Sequence, residues 1–541
     1  MKKLALGVNS FEEIRDERNN FIYVDKTQRI LDLVSGSRIF VLSRPPRFGK
    51  TLLISTLENL FTGKKELFEG LYIYDKWDWE KTYPVIRIDF SDAQITNVES
   101  LENFLSNELS NIGQKLGITL DREDHAGGKF YELIRTLSKT TNRQVVVLVD
   151  ECDKAMRNNF KNPKELEEVQ KYLGNFFEIL KGADAHIHFV LIMNVLKIIF
   201  AGIFSGFNNY TDITMREKSS DLCGYTQEEL QTYFKDYIDA LAQKHSWTKE
   251  KTLEAIKFWY GGYSWDGEIS LYHPYSTLKL FSENSFSNYW FDAVKFNFLA
   301  DMLNARGYYH NFTFGKIDCD DSFYKMGERL ISRFFQTGYL GVVSVRREED
   351  DFFWFYVLEW PNEEIKLSFA RQILESIPDG KEKLIPLLVN LKDQIAKSLD
   401  TLNAAAMEEY LPSIYACIAQ NIIEPRKCNY IEDKVKEKGR NCEAFFIYAL
   451  KFLGFDIFGE SWDFGKIQNT VIEGQKQTII VKIKYDREGG NLDKKVNAVL
   501  KEMKDQKYWE NHICPDKKIV LLGVVLTDEC KIAKGKFEEM K

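Results

Sequence analysis

The residues best suited to phosphate chemistry lie in the segment Ser43–Thr51, which reads SRPPRFGKT between a short apolar run and a helical pattern. A phosphate-binding loop needs a tight turn with inward N–H groups, a helix N-terminus, a lysine that reaches the β- and γ-phosphates and a hydroxyl on Mg²⁺. Gly49, Lys50 and Thr51 fill three of these roles. The segment therefore predicts a nucleoside triphosphate site, with Thr51 as one ligand of Mg²⁺.

The segment departs from the pattern GxxxxGK[ST] at its start, where Arg44 replaces the first glycine. We therefore expect the two prolines to make the turn. Arg47 offers a second cation to the phosphates, and its alternative role is a surface salt bridge. A GKT sequence can also do no more than begin a helix. The predicted nucleotide contacts are Arg44, Arg47, Phe48, Gly49, Lys50, Thr51 and Leu52, with Lys50 also predicted to act in catalysis.

Adjacent carboxylates end a later apolar run. The run VVVLVD leads into Asp150-Glu151-Cys152-Asp153. A strand that ends in this way places one carboxylate over the Mg²⁺ shell and lets its neighbour act on the attacking water. We predict that Asp150 binds the metal and that Glu151 is the general base, and the alternative is a solvated acidic turn.

The elements that position these residues are predicted from the alternation of apolar runs with helical patterns. Near-continuous apolar runs are typical of strands buried on both faces of a parallel sheet. The predicted strands are Arg38–Ser43, Pro84–Phe90, Val145–Asp150 and His186–Met193. The predicted helices are Thr51–Phe61, Val98–Leu116 and Lys164–Leu180. The pattern indicates an α/β fold.

The composition is typical of a large globular protein. The chain has 541 residues, of which 44% are hydrophobic, enough for several buried cores. A formal net charge of -8 excludes the broad cationic surface of a protein that coats nucleic acid non-specifically. The 8 cysteines form no CxxC pair, which argues against a disulfide framework and a zinc ribbon. We expect reduced thiols and a cytoplasmic protein.

One segment, Phe189–Phe204, is a candidate membrane span. It is interrupted by Asn194 and Lys197 and is shorter than the ~20 apolar residues that a bilayer requires. We interpret it as a buried strand with its following loop. The N-terminal apolar run is too short for a signal peptide, so we predict no membrane partner and no export.

The pattern changes along the chain in a way that predicts three domains, 1–215, 216–425 and 426–541. The middle domain has mixed helices with many aromatic residues, and the stretch FFWFYVLEWP at 352–361 suits a β-hairpin arm. The last domain reads as a compact α/β unit. Its predicted elements are helix Cys442–Leu453, strands Phe455–Gly459, Ile467–Glu473 and Thr478–Lys484, helix Asp493–Lys507 and strand Lys518–Leu526.

An ordered set of short motifs resembles the AAA-ATPase-like family that carries an active or degenerate PD-(D/E)XK nuclease domain at its C-terminus. The resemblance covers nearly the whole chain, and its specificity lies in the order of motifs that are individually weak. Besides RPPRFGKT and the acidic segment Asp150–Lys154, the motifs are Gly7–Arg15, Tyr23–Thr27, Ile203–Thr214, Gly224–Thr226, Trp259–Tyr263, Asn288–Trp290 and Gln336–Leu340.

The resemblance implies a P-loop ATPase that uses ATP and Mg²⁺, with the fourth strand of its sheet between the P-loop strand and the acidic strand. The end of the fourth strand is then expected to face the γ-phosphate. The family usually has Thr-Gly there, whereas this chain has Met193-Asn194. We predict that Asn194 orients water by hydrogen bonding. Met193 cannot do so, and the departure therefore weakens the expectation of rapid hydrolysis more than that of ATP binding.

For the middle region, the resemblance implies a helical lid and a winged-helix-like module, with Phe334–Val345 opening a hairpin. Such modules bind DNA in some proteins and mediate protein contacts in others. Partners of both kinds are open, through this module or through the C-terminal domain.

For the C-terminus, the resemblance implies a small restriction-endonuclease-like α/β domain whose active site is degenerate. Glu443 and Glu460 match two family glutamates, but Gln468 replaces the metal-binding aspartate. Lys482 replaces the glutamate of a Glu-x-Lys strand in which Lys484 is retained. Like-charge repulsion opposes a divalent cation at such a site, and we predict no nuclease activity. The lysines either bind a phosphate backbone without cutting it or are ordinary solvated strand residues.

Three functions follow from these observations. The favoured one is an ATPase whose cycle moves the lid, with the terminal domain as a nucleic-acid or protein adaptor. The second is a nucleotide-dependent switch that hydrolyses little ATP and recruits a partner. The third is an ATP-dependent nuclease with unorthodox ligands.

Overall fold

The computed structural model describes most of the first 376 residues and several segments beyond them, and divides the chain into two compact units. The first unit takes in the described residues up to position 364, and the second takes in those that follow. The described residues are 1–120, 125–159, 162–196, 210–290, 317–320, 330–347, 354–376, 382, 385–386, 388–389, 447–452, 456–460, 469–473, 477–486, 490–507, 509–510, 517–527 and 533–540.

The first unit is built on a parallel sheet of 5 strands. In chain order the strands are β1 (Ile39–Ser43), β2 (Val85–Asp89), β3 (Val145–Asp150), β4 (Ile187–Asn194) and β5 (Thr211–Asp212). Their order in space is β2-β3-β4-β1-β5, so β4 lies between the strand before the loop and the strand before the carboxylates. This confirms the expected position of the fourth strand. All residues of β1 and β3 are buried, which is why these runs are almost continuously apolar.

Helices connect and cover these strands. They are α1 (Phe11–Arg15), α2 (Thr27–Val34), α3 (Lys50–Phe61), α4 (Val98–Lys115), α5 (Ala126–Thr141), α6 (Lys154–Arg157) and α7 (Pro163–Gly182). The three helices predicted from periodicity are confirmed as α3, α4 and α7, each within two residues at either end. Asn97 begins α4 with a capping box to Ser100, and Pro163 occupies the first turn of α7.

Four helices follow in the same unit: α8 (Gln227–Tyr233), α9 (Lys235–His245), α10 (Lys249–Tyr260) and α11 (Pro274–Glu283). They share an aromatic core in which Phe234 stacks on Phe281, with ring centroids 5.3 Å apart. Thr226 caps α8 through a capping box with Glu229.

The first unit ends with a three-stranded antiparallel sheet. Its elements are β6 (Ile317–Asp320), α12 (Leu330–Thr337), β7 (Gly341–Arg347) and β8 (Trp354–Glu359), followed by α13 (Glu363–Ser376), in which the unit boundary falls. The strand order is β6-β8-β7, which confirms the hairpin arm predicted at 352–361. The expectation that Phe334–Val345 opens the hairpin was wrong at its start, because Phe334 to Thr337 are helical and the strand begins at Gly341. Phe334 and Thr337 are both buried and three residues apart, which is the spacing of one face of a helix rather than the alternation of a strand.

The second unit contains a mixed sheet with strand order β13-β12-β11-β10-β9. Its elements are β9 (Asp456–Glu460), β10 (Asn469–Glu473), β11 (Gln477–Asp486), α14 (Leu492–Asp505), β12 (Lys518–Thr527) and β13 (Ala533–Met540). Strands β11 and β12 are parallel, joined through α14, and the other pairs are antiparallel. The predicted strands and second helix are confirmed. The edge strand β13 was not anticipated, because its charged sequence AKGKFEEM lacks an apolar run.

Within the described part of the chain, none of the helices is both long and apolar enough to cross a bilayer. Residues 189–194 of the candidate span lie in the central strand β4, as expected. The remainder of that span from 197 onward lies outside the described residues.

Candidate nucleotide-binding site

The loop between β1 and α3 has the backbone of a phosphate cradle. Arg47 and Gly49 both have left-handed φ angles, 59° and 96°, and α3 begins at Lys50 directly after the second of them. Arg47, which is not a glycine, accepts a conformation that is costly for most side chains. No side chain caps the start of α3. Its first N–H groups and the positive end of its dipole are therefore available to an anion.

Lys50 lies inside the cradle and is only 3% exposed. Its Nζ donates hydrogen bonds to the carbonyl oxygens of Arg44, at 3.1 Å, and Pro45, at 2.8 Å. Burial lowers the pKa of Lys50, while the nearby carboxylates of Glu151 and Asp150 raise it. A cation held by neutral carbonyls in this way can transfer to a phosphate oxygen, which is the stronger acceptor.

Asp150 ends β3 and faces the same cradle. Its carboxylate is buried, and neither oxygen makes a hydrogen bond of normal geometry to the described residues. Burial raises the pKa of Asp150 to about 6, although Lys50 and the hydroxyl of Thr51 act to lower it. A buried carboxylate without a partner, opposite a hydroxyl, is a suitable pair of oxygen ligands for Mg²⁺.

Among the described residues, no cluster of three or more His, Cys, Asp or Glu side chains is arranged to bind a metal unaided.

Glu151 follows Asp150 in a left-handed conformation, with φ 56°. Its N–H donates to the carbonyl of Met193 on β4 at 2.9 Å, which fixes the backbone at this point. The Oε2 atom of Glu151 lies 3.2 Å from the guanidinium of Arg157, and the side chain is 27% exposed. The predicted base is therefore beside the cradle and reachable by solvent, with an arginine as its partner.

Asn194 ends β4 and is buried beside the acidic turn. Its Oδ1 accepts hydrogen bonds from Sγ of Cys152, at 3.2 Å, and from N–H of Asp153, at 3.1 Å. The amide nitrogen Nδ2 has no hydrogen-bond partner among the described residues. The structure thus brings Asn194 to the acidic residues, with its oxygen engaged by the turn and its nitrogen available.

Arg44 stabilises the loop through buried hydrogen bonds to main-chain carbonyls. Its guanidinium is fully buried and donates to the carbonyl oxygens of Ser43, Thr214, Ser219 and Ser220, at 2.9 to 3.3 Å. It also lies 4.1 Å from the ring centre of Trp265. The side chain predicted to contact a nucleotide is instead directed into the protein. This arrangement was missed because three of its four acceptors lie 170 to 176 residues further along the chain.

Phe48 is fully buried in an aromatic cluster formed by Tyr263, Trp265 and His273, whose ring centres lie 5.1 to 5.4 Å away. His273 accepts from Ser276 N–H through Nδ1, so its Nε2 donates to the carbonyl of Pro46 at 3.2 Å. Burial lowers the pKa of His273 to about 4, and the ring is neutral at pH 7. The outer side of the loop is therefore held by residues of the 214–273 region.

A cavity of about 130 Å³ opens beside the loop. Four predicted contacts line it: Arg47, Phe48, Gly49 and Leu52. The other lining residues were not foreseen, and they include the N-terminal segment 5–9, residues 22–24 and 26, the Gly224-Tyr225 pair and the first turn of α11. Arg47 lies 5.7 Å from the ring centre of Tyr275 in that turn. The N-terminal motifs could have indicated this lining only through the family resemblance, because no charge or periodicity distinguishes them.

The predicted degenerate site lies in the second unit and is described there in part. Lys482 and Lys484 on β11 both form ion pairs with Glu502 on α14. Lys482 also donates a hydrogen bond to Oε1 of Gln506 at 2.9 Å. The two lysines lower the pKa of Glu502. Glu460 is the last residue of β9, while Glu443 and Gln468 lie outside the described residues.

Comparisons with known proteins indicate the family of the chain. Residues 5–204 match the family model described as Predicted AAA-ATPase. A protein of Azotobacter chroococcum mcd 1, named "Uncharacterized protein in vnfD 5'region", is 35% identical over 376 residues, which is 69% of this chain and 70% of that protein. The ORC2 protein of Aeropyrum pernix, in ADPNP and ADP complexes, aligns with 67% of this chain and 98% of its own, at 11% identity. The TM-score of this alignment is 0.27. The chain belongs to the predicted AAA-ATPase family.

Proposed function

We propose that the protein binds ATP with Mg²⁺ between the β1–α3 loop and the end of β3, and hydrolyses it. The observation that carries the proposal is the meeting of Lys50, Thr51 and the unpartnered carboxylate of Asp150 at one edge of the sheet. The carboxyl ends of parallel strands are where such sheets bind ligands.

The residues of the site have distinct roles in this proposal. Thr51 and Asp150 would hold Mg²⁺, which neutralises phosphate charge when bound. Lys50 leaves the carbonyls of Arg44 and Pro45 for the β- and γ-phosphates. Glu151 takes a proton from water as the water oxygen bonds to the γ-phosphorus. The bond from that phosphorus to the β–γ bridging oxygen breaks, and its electron pair leaves with ADP.

The cavity beside the loop is proposed to hold the base. Its walls are mainly apolar, and it is continuous with the loop through Arg47, Phe48 and Gly49. A largely apolar slot with a few polar groups suits a flat heteroaromatic ring. Side-by-side titrations with ATP and GTP decide which purine it prefers.

A phosphate-release assay tests hydrolysis. We expect Mg²⁺-dependent turnover by the wild type and a loss of about 100-fold or more in Lys50→Ala and Glu151→Gln. The matched control is Lys129→Ala, because Lys129 is also only 4% exposed and donates to a neutral oxygen, Oγ of Ser106 at 2.7 Å. Turnover retained in both site variants contradicts the proposal.

The second candidate is a switch that holds ATP with little hydrolysis. It is favoured by the end of β4, where Oδ1 of Asn194 is engaged by Cys152 and Asp153 rather than open to a water. Tight ATP binding without measurable turnover by the wild type supports this candidate over the first.

We also propose that the second unit is an adaptor without nuclease activity. Lys482 and Lys484 share one carboxylate, Glu502, so these three side chains together carry a net positive charge, which opposes a divalent cation beside them. The β6-β8-β7 order supports a winged-helix-like module in the first unit, whose helix α12 has buried residues Phe334 and Thr337. Plasmid DNA and RNA should remain intact with Mg²⁺ or Mn²⁺, and cleavage under either condition would favour an active nuclease.

A further inference from the structure

Arg157 is the residue that joins the proposed base to the rest of the fold. It ends α6, the short helix that follows the acidic turn. Its guanidinium lies 3.2 Å from Oε2 of Glu151 and 3.0 Å from Oδ2 of Asp153. We propose that Arg157 is a positioning residue, which holds the carboxylate of Glu151 in the orientation that takes the proton from water. The inference rests on the proposed ATPase function.

The two carboxylates that Arg157 contacts, those of Asp153 and Glu151, differ in burial. The side chain of Asp153 is 0% exposed, that of Arg157 is 19% exposed and that of Glu151 is 27% exposed. Arg157 is thus tied to a fixed carboxylate on one side and presents its other edge to the more open one. A planar guanidinium suits this task because it offers several N–H donors in a rigid arrangement.

Asp153 is itself held by the end of β4. Its Oδ2 accepts from N–H of Leu196 at 3.1 Å, and its own N–H donates to Oδ1 of Asn194 at 3.1 Å. Burial raises the pKa of Asp153, and the charge of Arg157 offsets part of that rise. A continuous chain of contacts therefore runs from Asn194 through Asp153 and Arg157 to Glu151.

The backbone of Glu151 explains why such a partner is needed. Glu151 has a left-handed φ of 56°, so its side chain points in a different direction from that of a residue in an extended strand. A glutamate has three rotatable bonds, and an exposed one samples many orientations. A base can take a proton from water only when its carboxylate lies within hydrogen-bond distance of that water. Among the described residues, Arg157 forms an ion pair with the carboxylate of Glu151.

Arg157 also pairs with Asp153, whose side chain is fully buried. The arrangement differs in this from an isolated surface ion pair, which contributes little. A residue that acts through the base should change the rate of the chemical step and leave nucleotide binding almost unchanged.

The test compares Arg157→Gln and Arg157→Lys with the wild type in ATP turnover, and measures ATP affinity by calorimetry. For Arg157→Gln we expect kcat to fall about 10- to 100-fold, with KM and Kd within about 2-fold. Arg157→Lys keeps the charge but pairs with one carboxylate at a time, so we expect partial recovery of kcat. Adding Glu151→Gln to Arg157→Gln should reduce kcat no further than Glu151→Gln alone.

The control is Arg29→Gln, which removes a partly buried ion pair, Nε of Arg29 to Oδ1 of Asp221 at 2.8 Å, elsewhere in the first unit. It should match the loss of thermal stability in Arg157→Gln and retain kcat. If Arg157→Gln does not fold, Arg157→Lys carries the test, with lower kcat and unchanged KM. Unchanged or raised kcat in the Arg157 variants, or a loss confined to Kd, overturns the inference. An inactive wild type overturns the proposed function instead, and this inference with it.

Discussion

Gly224 lies directly against the ring of Phe48. A Cβ atom on Gly224 would be 2.5 Å from Cε1 of Phe48, and the φ angle of Gly224 is 89°. Both the backbone conformation and the available space therefore require glycine at this position. Phe48 immediately precedes Gly49 in the phosphate loop. The motif Gly224–Thr226 therefore contacts the loop directly.

Gly224→Ala should disturb the loop as well as the local backbone. We expect lower thermal stability and an ATP affinity reduced several-fold, because the ring of Phe48 must move. Gly70→Ala is the matched control, since Gly70 has a φ of 75° but no atom within 4 Å of the added Cβ. That control should lose only about 1 kcal/mol, from backbone strain, and keep its affinity for ATP. Equal effects of the two substitutions would show that the Phe48 contact is unimportant.

Three further contacts hold the loop from the same side. Gly338 approaches Pro45 so closely that a Cβ atom would lie 2.9 Å from Cβ of the proline. His273 donates to the carbonyl of Pro46, and Trp265 covers the guanidinium of Arg44. The loop lacks the first glycine of the common pattern, and its shape is maintained by packing from outside.

Arg44→Lys tests this support. A lysine cannot reach the four carbonyls that Arg44 satisfies, and we expect a loss of at least about 3 kcal/mol in the free energy of unfolding. Chemical denaturation measures it. The comparison is Arg18→Lys, whose side chain is 88% exposed beside Asp16, and which should change stability by less than about 0.5 kcal/mol. A similar small change in both variants would contradict the structural role of Arg44.

Asp150→Asn should stabilise the nucleotide-free protein near pH 7.5 and abolish Mg²⁺-dependent turnover. The folded-state pKa of Asp150, about 6, is above its ordinary 3.8, so the ionised carboxylate destabilises the fold at neutral pH. The gain is about 2 to 3 kcal/mol at most, and it should disappear as the pH falls from about 7 towards 4.

Asp89→Asn is the contrasting variant. Asp89 pairs in register with Asp150 on the neighbouring strand, but its Oδ2 lies 3.3 Å from the guanidinium of Arg87, an ion pair that asparagine cannot make. Its substitution should lower stability. Denaturation of both variants across pH provides the measurement, and a destabilised Asp150→Asn protein at pH 7.5 would contradict the account of an unpartnered carboxylate.

Glu502→Gln tests the pairing in the second unit. It leaves Lys482 and Lys484 without their shared carboxylate, and we expect a loss of about 1 kcal/mol at low salt that shrinks as salt rises. The pKa of Glu502 is lowered in the fold, so its contribution should be lost as the pH falls below its ordinary value of 4.5. Glu510→Gln, which breaks a more exposed pair with Lys507, should have less effect. The reverse ranking would argue against the shared pair.

The sequence predicted the parts of the site that depend on local pattern. Lys50 and Thr51 follow a buried strand, and Asp150 and Glu151 follow another, so strand adjacency alone brings them together. Family resemblance supplied the position of β4. The role of Arg157 was missed, because an arginine six residues after Glu151 has no distinctive spacing until the left-handed turn at Glu151 aims the two side chains at each other.

The support of the loop could not be predicted in the same way. Arg44 looked like a phosphate ligand because of its place in the motif, whereas three of its four acceptors are carbonyls of residues 214–220. Main-chain carbonyls carry no sequence signal, and contacts over such separations depend on the packing of the whole unit.

Isothermal titration of the wild type with ATP and Mg²⁺ tests the central claim most directly, alongside Lys50→Ala and the buried-lysine control Lys129→Ala. We predict saturable heat with a single site for the wild type and for Lys129→Ala, and none for Lys50→Ala. Absence of heat with the wild type for ATP and GTP alike, or full binding by Lys50→Ala, would contradict the account.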